Sequence, residues 1–547
     1  MANFNLDTIK NNIVPHKYDD FVYAYGTAGF RSKAEVLDSV MYIVGVLATL
    51  RSKKLNGATI GVMITASHNP EEDNGVKLVD PRGEMLEQSW EGYATKLANA
   101  KDGETLGQVV DDIIAAQKIN VETNASVIYG FDTRPSCPEL VTYLEKGLDA
   151  AGADKKNYGL LTTPMLHYLV RCINTAGTSD SYGEPTAEGY YKKLSEAYKT
   201  AVKGFPRLSP LSVDCANGVG AVKLREFLEY VPDEVLSINI LNESVDTLGA
   251  LNKNCGADYV KTNQRAPPNA KIAPGDRFCS YDGDADRIVY YYVDKDNVFR
   301  LLDGDKIAGL AAMFIMELVN DAGIDSIKVG VVQTAYANGS STNYLEKVLK
   351  VPVSCVSTGV KHLHHEAEKY DIGVYFEANG HGTVLFSPDA LNTFKTTEAK
   401  TPGQNRALQQ LVALTELINQ TVGDAISDML LVETILTNRQ WGPEAWDQAY
   451  TDLPNRLVKV VVADRTIFKT TNAERQLVEP AGLQAEIDAH VAKYSNGRSF
   501  VRASGTEDAV RVYAEAATRA ETDELANKVA QAVYDRGGGV GPRPLMP

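Results

Sequence analysis

A chain of 547 residues is too long for one hydrophobic core, and at about 150 residues per domain it predicts three or four domains. Its 44% apolar and 23% charged residues are ordinary for a folded protein, and no stretch approaches the roughly 18 uninterrupted apolar residues of a membrane span. The formal net charge of −16, without any Lys/Arg-rich block, argues against a nucleic-acid-binding face and means that an anionic substrate must be held by local donors against the global field.

In chain order, residues 1–12 mix Asn, Asp and Lys with isolated apolar side chains, so no secretory signal is expected. An apolar strand, 60–64, runs into the polar loop 65–70. A second strand, 127–131, meets Asp132-Thr133-Arg134 and a helix over 138–151. The run 211–213 leads through the Gly-containing loop 214–220 to a helix over 222–230, and 329–332 leads through 336–339 to a helix over 341–349. Strand, loop and helix in alternation predict parallel α/β sheets with ligands at the carboxyl ends of the strands, and three such blocks fit before about residue 435. The last hundred residues differ. A strand over 457–462, a long gap, strands over 499–501 and 510–514 and a helix over 520–535 suggest a smaller α+β domain, followed by a loose Gly/Pro-rich tail from residue 537. Six scattered cysteines without a C-x-x-C pair fit a reducing compartment, and the cytoplasm is the expected location.

Four loops carry chemistry. In the first, Pro70 disfavours helix at Asn69 and leaves Ser67 in an exposed turn, where a base or metal must activate its hydroxyl. His68 and Lys77 are candidate proton handlers. In the second, Asp282, Asp284 and Asp286 alternate with small residues, so their carboxylates can converge on a hard cation; three like charges held together call for one. An EF-hand is excluded, because loop positions six and twelve are Arg287 and Val293. A solvated acidic turn is the alternative. In the third, Glu377 and Asn379 among glycines offer the mixed donors and acceptors that read sugar hydroxyls, although the segment could equally be a hairpin turn. In the fourth, Arg502, Ser504, Gly505, Thr506 and Arg511 are the components of a phosphate cradle, against the alternative of two surface salt bridges. His362, His364 and His365 do not make a zinc motif, and Tyr290, Tyr291 and Tyr292 read as strand packing.

One reading uses all four loops. Ser67, through its hydroxyl or an attached phosphate, is the fourth ligand of a Mg²⁺ held by Asp282, Asp284 and Asp286, and the cradle fixes the phosphate that is not reacting. With these loops in this order, and with Tyr25-Gly26-Thr27-Ala28-Gly29-Phe30-Arg31 ahead of them, the chain resembles the α-D-phosphohexomutase family over nearly its whole length. Asn379, where glucose- and mannose-type members usually have Ser, and the segment 73–81 resemble its acetylglucosamine branch. Ala503, where relatives often have Pro, is a departure that removes no phosphate donor.

The resemblance implies four domains around a central active-site cleft. Three are mixed α/β, sandwich-like and related in topology, here 1–190, 191–302 and 303–440, and a smaller α+β domain covers 441–547. It implies interconversion of N-acetylglucosamine 6-phosphate and N-acetylglucosamine 1-phosphate on the route to UDP-N-acetylglucosamine. The enzyme would carry phosphoserine at Ser67, and a sugar 1,6-bisphosphate would be intermediate and activator. Glu377, Ala378 and Asn379 would contact the sugar, and Arg502, Ala503, Ser504, Gly505, Thr506 and Arg511 the distal phosphate. Lys77, with His68 and Arg31, would move the proton and stabilise charge. The phosphate-binding domain would have to be mobile for the bisphosphate to turn over. Glucose- or mannose-type mutase activity, a phosphoserine phosphohydrolase and a silent sugar-phosphate sensor are the rival functions; no nucleic-acid, membrane or obligate protein partner is expected.

Overall fold

A computed structural model describes residues 4–18, 20–504 and 508–544. The chain divides into two compact units, Met1–Asp303 with Val412–Pro443, and Gly304–Leu411 with Glu444–Pro547.

The first unit contains two five-stranded sheets. In one, the strands run in the order Phe30–Lys33, Asp73–Val79, Thr59–Ile64, Ala125–Phe131, Ala153–Leu160. The first two pairings are antiparallel and the last two parallel. The second sheet repeats this pattern with Phe299–Leu302, Ile288–Val293, Arg277–Tyr281, Leu211–Asp214 and Ile238–Leu241. Thr59–Ile64, Arg277–Tyr281 and Ile288–Val293 are buried at every position, as strands covered on both faces must be. The helix Ala425–Arg439 belongs to this unit: Glu433 pairs with Arg277, and Asp424 caps the helix while accepting from Tyr190 Oη at 2.7 Å.

The second unit contains a four-stranded sheet ordered Val353–Val356, Val329–Thr334, Ile372–Phe376, Gly382–Phe386, with two parallel pairings and one antiparallel. It also contains an antiparallel three-stranded sheet, Asn455–Val461, Ala509–Glu515, Arg498–Ala503. The helix Arg519–Arg536, opened by a Thr518/Glu521 capping box, and the helix Leu483–Val491 supply Leu525, Val529, Leu483 and Ile487 to the core of this small sheet. Among the described residues no helix is long and apolar enough to cross a membrane.

Three related mixed α/β sheets and a smaller α+β sheet match the fold class expected from the sequence, with corrections of detail. The sheets are mixed rather than parallel. The loops after Thr59–Ile64, Arg277–Tyr281, Ile372–Phe376 and Arg498–Ala503 each turn back into an antiparallel neighbour; for the first this replaces the helix that the strand-loop-helix pattern implied, and for the third it is the hairpin turn left open as an alternative. In the three larger sheets the loop-bearing strand is the one with a parallel neighbour on one side and an antiparallel neighbour on the other. The helix expected over 341–349 is a short α-helix, Gly339–Asn343, that widens into the π-turn Tyr344–Leu349. The gap before residue 499 holds the hairpin Lys469–Thr471/Gln476–Glu479 and the helix Leu483–Val491. The tail is tied down as far as Pro544: Val540 N–H donates to Val461 O, and Gln531 to Pro544 O.

Candidate active site

The strand Thr59–Ile64 delivers the serine loop. Thr65 Oγ1 donates to Asp132 Oδ2 at 2.7 Å and accepts from Ser67 N–H at 2.9 Å, which tightens the turn. Ser67 sits at φ 53°, in the left-handed region that a residue with a Cβ rarely adopts. Its side chain is buried rather than exposed, at 1% accessibility, and its hydroxyl donates to Asp282 Oδ2 at 2.6 Å. Arg134 holds this shape. Its guanidinium, itself buried, donates to the carbonyls of Ser67 (2.9 Å), Asn69 (3.0 Å), Pro70 (2.6 Å) and Asp73 (2.9 Å), and its Nε to Asp132. From the other side Asn252 Nδ2 donates to the carbonyls of Ser67 and Asn69, both at 2.9 Å.

The acidic loop lies directly against the serine loop. A Cβ at Gly283 would come within 2.5 Å of Ser67 O, so only glycine permits this approach. Asp282 Oδ1 accepts from the N–H groups of Asp286 and Arg287, curling the loop back on itself. Ligand atoms of Asp282, Asp284 and Asp286 lie within 4.8 Å of one another, and all three side chains are buried. Burial, followed by the charges of Asp286 and Asp284, pushes the Asp282 carboxyl well above the usual range. Asp284 Oδ2 accepts from Thr163 Oγ1 at 2.6 Å, whereas its buried Oδ1 has no hydrogen-bond partner. Clustered buried carboxylates, one with an unsatisfied oxygen, are the donor set of a hard divalent cation.

Cations surround the acids. Lys77 Nζ lies 3.5 Å from Oδ2 of both Asp284 and Asp286, and Arg287 Nε 3.8 Å from Asp282 and 3.7 Å from Asp286. His68 Nδ1 is 3.4 Å from Ser67 Oγ; burial, reinforced by the Arg287 and Arg31 charges, pushes its imidazole down to about 2, so the ring is neutral. Arg31 reaches the loop through Nη1 to Asn69 Oδ1 at 3.2 Å. A cavity of about 640 Å³ adjoins, lined by His68, Glu71, Asn252, Asn254 and Tyr259 among others, large enough for a sugar phosphate.

The remaining candidates lie in the second unit, on two different sheets. Glu377, Ala378 and Asn379 form the tip of the Ile372–Phe376/Gly382–Phe386 hairpin, closed by Glu377 N–H to His381 O and Gly380 N–H to Glu377 O, both at 2.8 Å. Asn379 braces the tip, donating to Glu377 Oε2 at 3.2 Å and accepting from His381 N–H at 2.9 Å. Arg502 and Arg511 are direct partners across the small sheet, next to the pair Ala503 and Val510, and Ser504 N–H donates to Ala509 O at 2.8 Å. Arg502 is ion-paired: its Nε donates to Glu474 Oε1 at 2.9 Å. Gly505 and Thr506 lie outside the described residues.

The seven candidates from the first unit thus converge. Sequence reasoning missed Arg134, Asn252, Thr163 and Glu474. Arg134 alone carried a signal, as a loop arginine in an acidic chain, two residues after an aspartate at a strand end.

Comparison with known proteins gives four family profiles along the chain. They are phosphoglucomutase/phosphomannomutase, alpha/beta/alpha domain I, over 27–102 and 87–179; phosphoacetylglucosamine mutase AMG1, domain II, over 186–289, and domain III, over 303–441; and the phosphoglucomutase/phosphomannomutase C-terminal domain over 457–532. Human phosphoacetylglucosamine mutase is 53% identical over 533 residues, covering 96% of this chain and 97% of its own. The crystal structure of Aspergillus fumigatus N-acetylphosphoglucosamine mutase in complex with GlcNAc-6P and magnesium is similar at a TM-score of 0.94 and 58% identity, over 97% of this chain and 99% of that one. A second structure of the Aspergillus fumigatus enzyme, in complex with glucose 1,6-bisphosphate, gives a TM-score of 0.93 and 57% identity, over 97% of this chain and 99% of that one.

Proposed function

The chain belongs to the phosphoacetylglucosamine mutase family, and we propose that it interconverts N-acetylglucosamine 6-phosphate and N-acetylglucosamine 1-phosphate through a phosphoserine at Ser67 and a sugar 1,6-bisphosphate. The observation that carries this reading is the buried Ser67 hydroxyl at 2.6 Å from Asp282, within a cluster of three aspartates. It is an isomerase, and its product serves UDP-N-acetylglucosamine synthesis.

In this reading Asp282, Asp284, Asp286 and Ser67 hold Mg²⁺. Bound there, the ion neutralises charge on the phosphoryl group in transfer. The bond from phosphorus to Ser67 Oγ breaks as one forms to a sugar hydroxyl oxygen, whose proton leaves to a base; the second half-reaction returns the other phosphoryl group to Ser67. Lys77, at the edge of the acidic loop, stabilises the transferring charge and is the candidate for the proton, a role supported by its 3.5 Å distances from Asp284 and Asp286; His68, 3.4 Å from Ser67 Oγ, and Arg31, held at Asn69, stand beside it. Arg134 and Asn252 keep Ser67 aimed by gripping its backbone. Glu377, Ala378 and Asn379 contact the sugar, and Arg502, Ala503, Ser504, Gly505, Thr506 and Arg511 the distal phosphate. The opposed arginines support the second assignment, since like charges across a strand pair are stabilised by an anion.

The reading divides the chain into domains 1–190, 191–302, 303–440 and 441–547, each holding one main sheet. It places the enzyme in the cytoplasm, acting on a small hexosamine phosphate without an obligate protein partner; six free cysteine thiols support that compartment. The deciding experiment is an NMR assay of the purified chain with Mg²⁺ and competing hexose phosphates. Formation of N-acetylglucosamine 1-phosphate without release of inorganic phosphate is expected; preferential turnover of glucose or mannose phosphates overturns the substrate assignment, and phosphate release points to a hydrolase.

A further inference from the structure

We propose that Glu474 is a positioning residue of the phosphate clamp, setting the Arg502 guanidinium and fastening it to Thr358; the inference rests on the mutase reading above. Glu474 stands at the tip of the hairpin Lys469–Thr471/Gln476–Glu479. There Asn472, Ala473 and Glu474 have φ of 52°, 54° and 65°, three consecutive residues with a Cβ in the left-handed region. A turn that merely joined two strands would have glycine at such positions. Arg475 staples the tip from inside, its Nε donating to Asn472 O at 3.1 Å and its Nη2 to Asn472 Oδ1 at 2.7 Å. Backbone held in a disfavoured region persists where its surroundings over-determine it, and such sites cluster at ligand clamps.

This tip delivers one carboxylate with both oxygens in use. Oε1 accepts from Arg502 Nε at 2.9 Å, and Oε2 accepts from Thr358 N–H at 2.9 Å and Thr358 Oγ1 at 2.6 Å. Burial raises this carboxyl, but the Thr358 donors and the Arg502 charge outweigh it and hold the group below the usual range, so it is ionised. Arg502 directly faces Arg511 across the strand pair, where two like charges repel. The carboxylate offsets one of them and fixes the guanidinium plane. Glu474 binds Nε rather than the terminal nitrogens that a phosphate monoester needs, and Tyr336 is the guanidinium's second side-chain partner. Through Thr358, the same anchor ties the clamp to the turn that precedes the helix Val360–Ala367. Without Glu474, Arg502 keeps only its Tyr336 contact, and each phosphate-binding event must order the guanidinium further.

The test is steady-state turnover of N-acetylglucosamine 6-phosphate with Mg²⁺ by the full chain carrying Glu474→Ala, Glu474→Gln, Arg502→Ala or Glu474→Ala with Arg502→Ala. Glu474→Ala is expected to raise KM about tenfold and leave kcat within about twofold, because a charge-assisted contact that supports binding is removed. Glu474→Gln, which keeps the shape and one acceptor and preserves the test should the alanine variant fail to fold, is expected to raise KM about threefold. In the Arg502→Ala background, removing Glu474 should add nothing. An unchanged KM in both single Glu474 variants, or a rise that persists in full without Arg502, overturns the proposal. The mutase reading fails separately, if the unaltered chain does not interconvert the two phosphates. In that event calorimetric titration with N-acetylglucosamine 6-phosphate judges Glu474 alone: about tenfold weaker binding by Glu474→Ala supports the role, and equal affinity overturns it.

Discussion

The Ser67 hydroxyl donates to Asp282 Oδ2 at 2.6 Å although 215 positions separate the two residues in the chain. The contact joins the loops of two sheets into one centre, and it makes the serine oxygen part of the acidic cluster rather than a neighbour of it. Ser67→Ala should therefore reduce bisphosphate-dependent turnover by at least about a thousandfold, since it removes the hydroxyl proposed to carry the group. Circular dichroism and melting temperature should be close to those of the unaltered chain. Retention of ordinary turnover would refute the role.

Thr163 orients Asp284 by donating to its Oδ2 at 2.6 Å, which leaves the buried Oδ1 without a hydrogen-bond partner and, in the proposed reading, for the cation. Loss of an orienting hydrogen bond behind a metal ligand weakens metal affinity by about ten- to a hundredfold. Thr163→Val should raise the Mg²⁺ concentration for half-maximal activity by about tenfold. Mg²⁺ should also raise the melting temperature of the chelator-treated chain, because it binds only the assembled cluster. Asp284→Asn should lose that shift, which differential scanning calorimetry reads directly.

Gly283 faces Ser67 O so closely that a methyl group would sit at 2.5 Å from it. Gly283→Ala should push the serine loop off the acidic loop, lowering kcat by at least about a hundredfold through a displacement on the order of 1 Å. KM should change less than kcat if, as proposed, the sugar and distal phosphate are held mainly by Glu377, Asn379 and the Arg502 loop. A kcat within about twofold of the unaltered value would show that the loops separate without chemical cost.

Asp428, near the start of the helix Ala425–Arg439, is fully buried, and its Oδ1 has no hydrogen-bond partner. Burial and the Asp424 charge push its carboxyl well above the usual range. An acid raised in the fold contributes stability that is complete below its unfolded value, about 4, and is lost as pH rises toward the folded value. Asn does not titrate, so the melting temperature of Asp428→Asn relative to the unaltered chain should increase as pH rises above about 4. A difference independent of pH would mean that Asp428 is ionised in the folded chain.

The sequence made the contiguous parts of the site readable because each loop carries its chemistry within a few residues. Asp282, Asp284 and Asp286 point to a cation by charge repulsion, against a solvated acidic turn, and Arg502 with Arg511 points to an anion, against surface salt bridges. What it concealed is contact at long range and contact with backbone. Thr163 meets Asp284 across 121 positions, Asn252 meets the serine loop across 185, and Thr358 meets Glu474 across 116. Carbonyl acceptors also leave no trace in residue identity, and this is why Arg134 and Asn252 escaped. The sheet error has a similar origin. A strand such as Thr59–Ile64, buried on both faces, reads as one apolar run whatever the direction of its neighbours. Burial of Ser67 was hidden too, since a polar turn is ordinarily solvated and only the approach of a second loop covers it.

Arg134 directs four of its hydrogen bonds at carbonyl oxygens, those of Ser67, Asn69, Pro70 and Asp73. A scaffold that grips main chain is blind to the side chains it supports. Its grip on the turn would therefore survive changes in the side chains of Asn69 and Asp73, whereas Thr65 holds the serine through its own hydroxyl. The arginine is the position that does not tolerate such drift, although it never needs to touch a sugar.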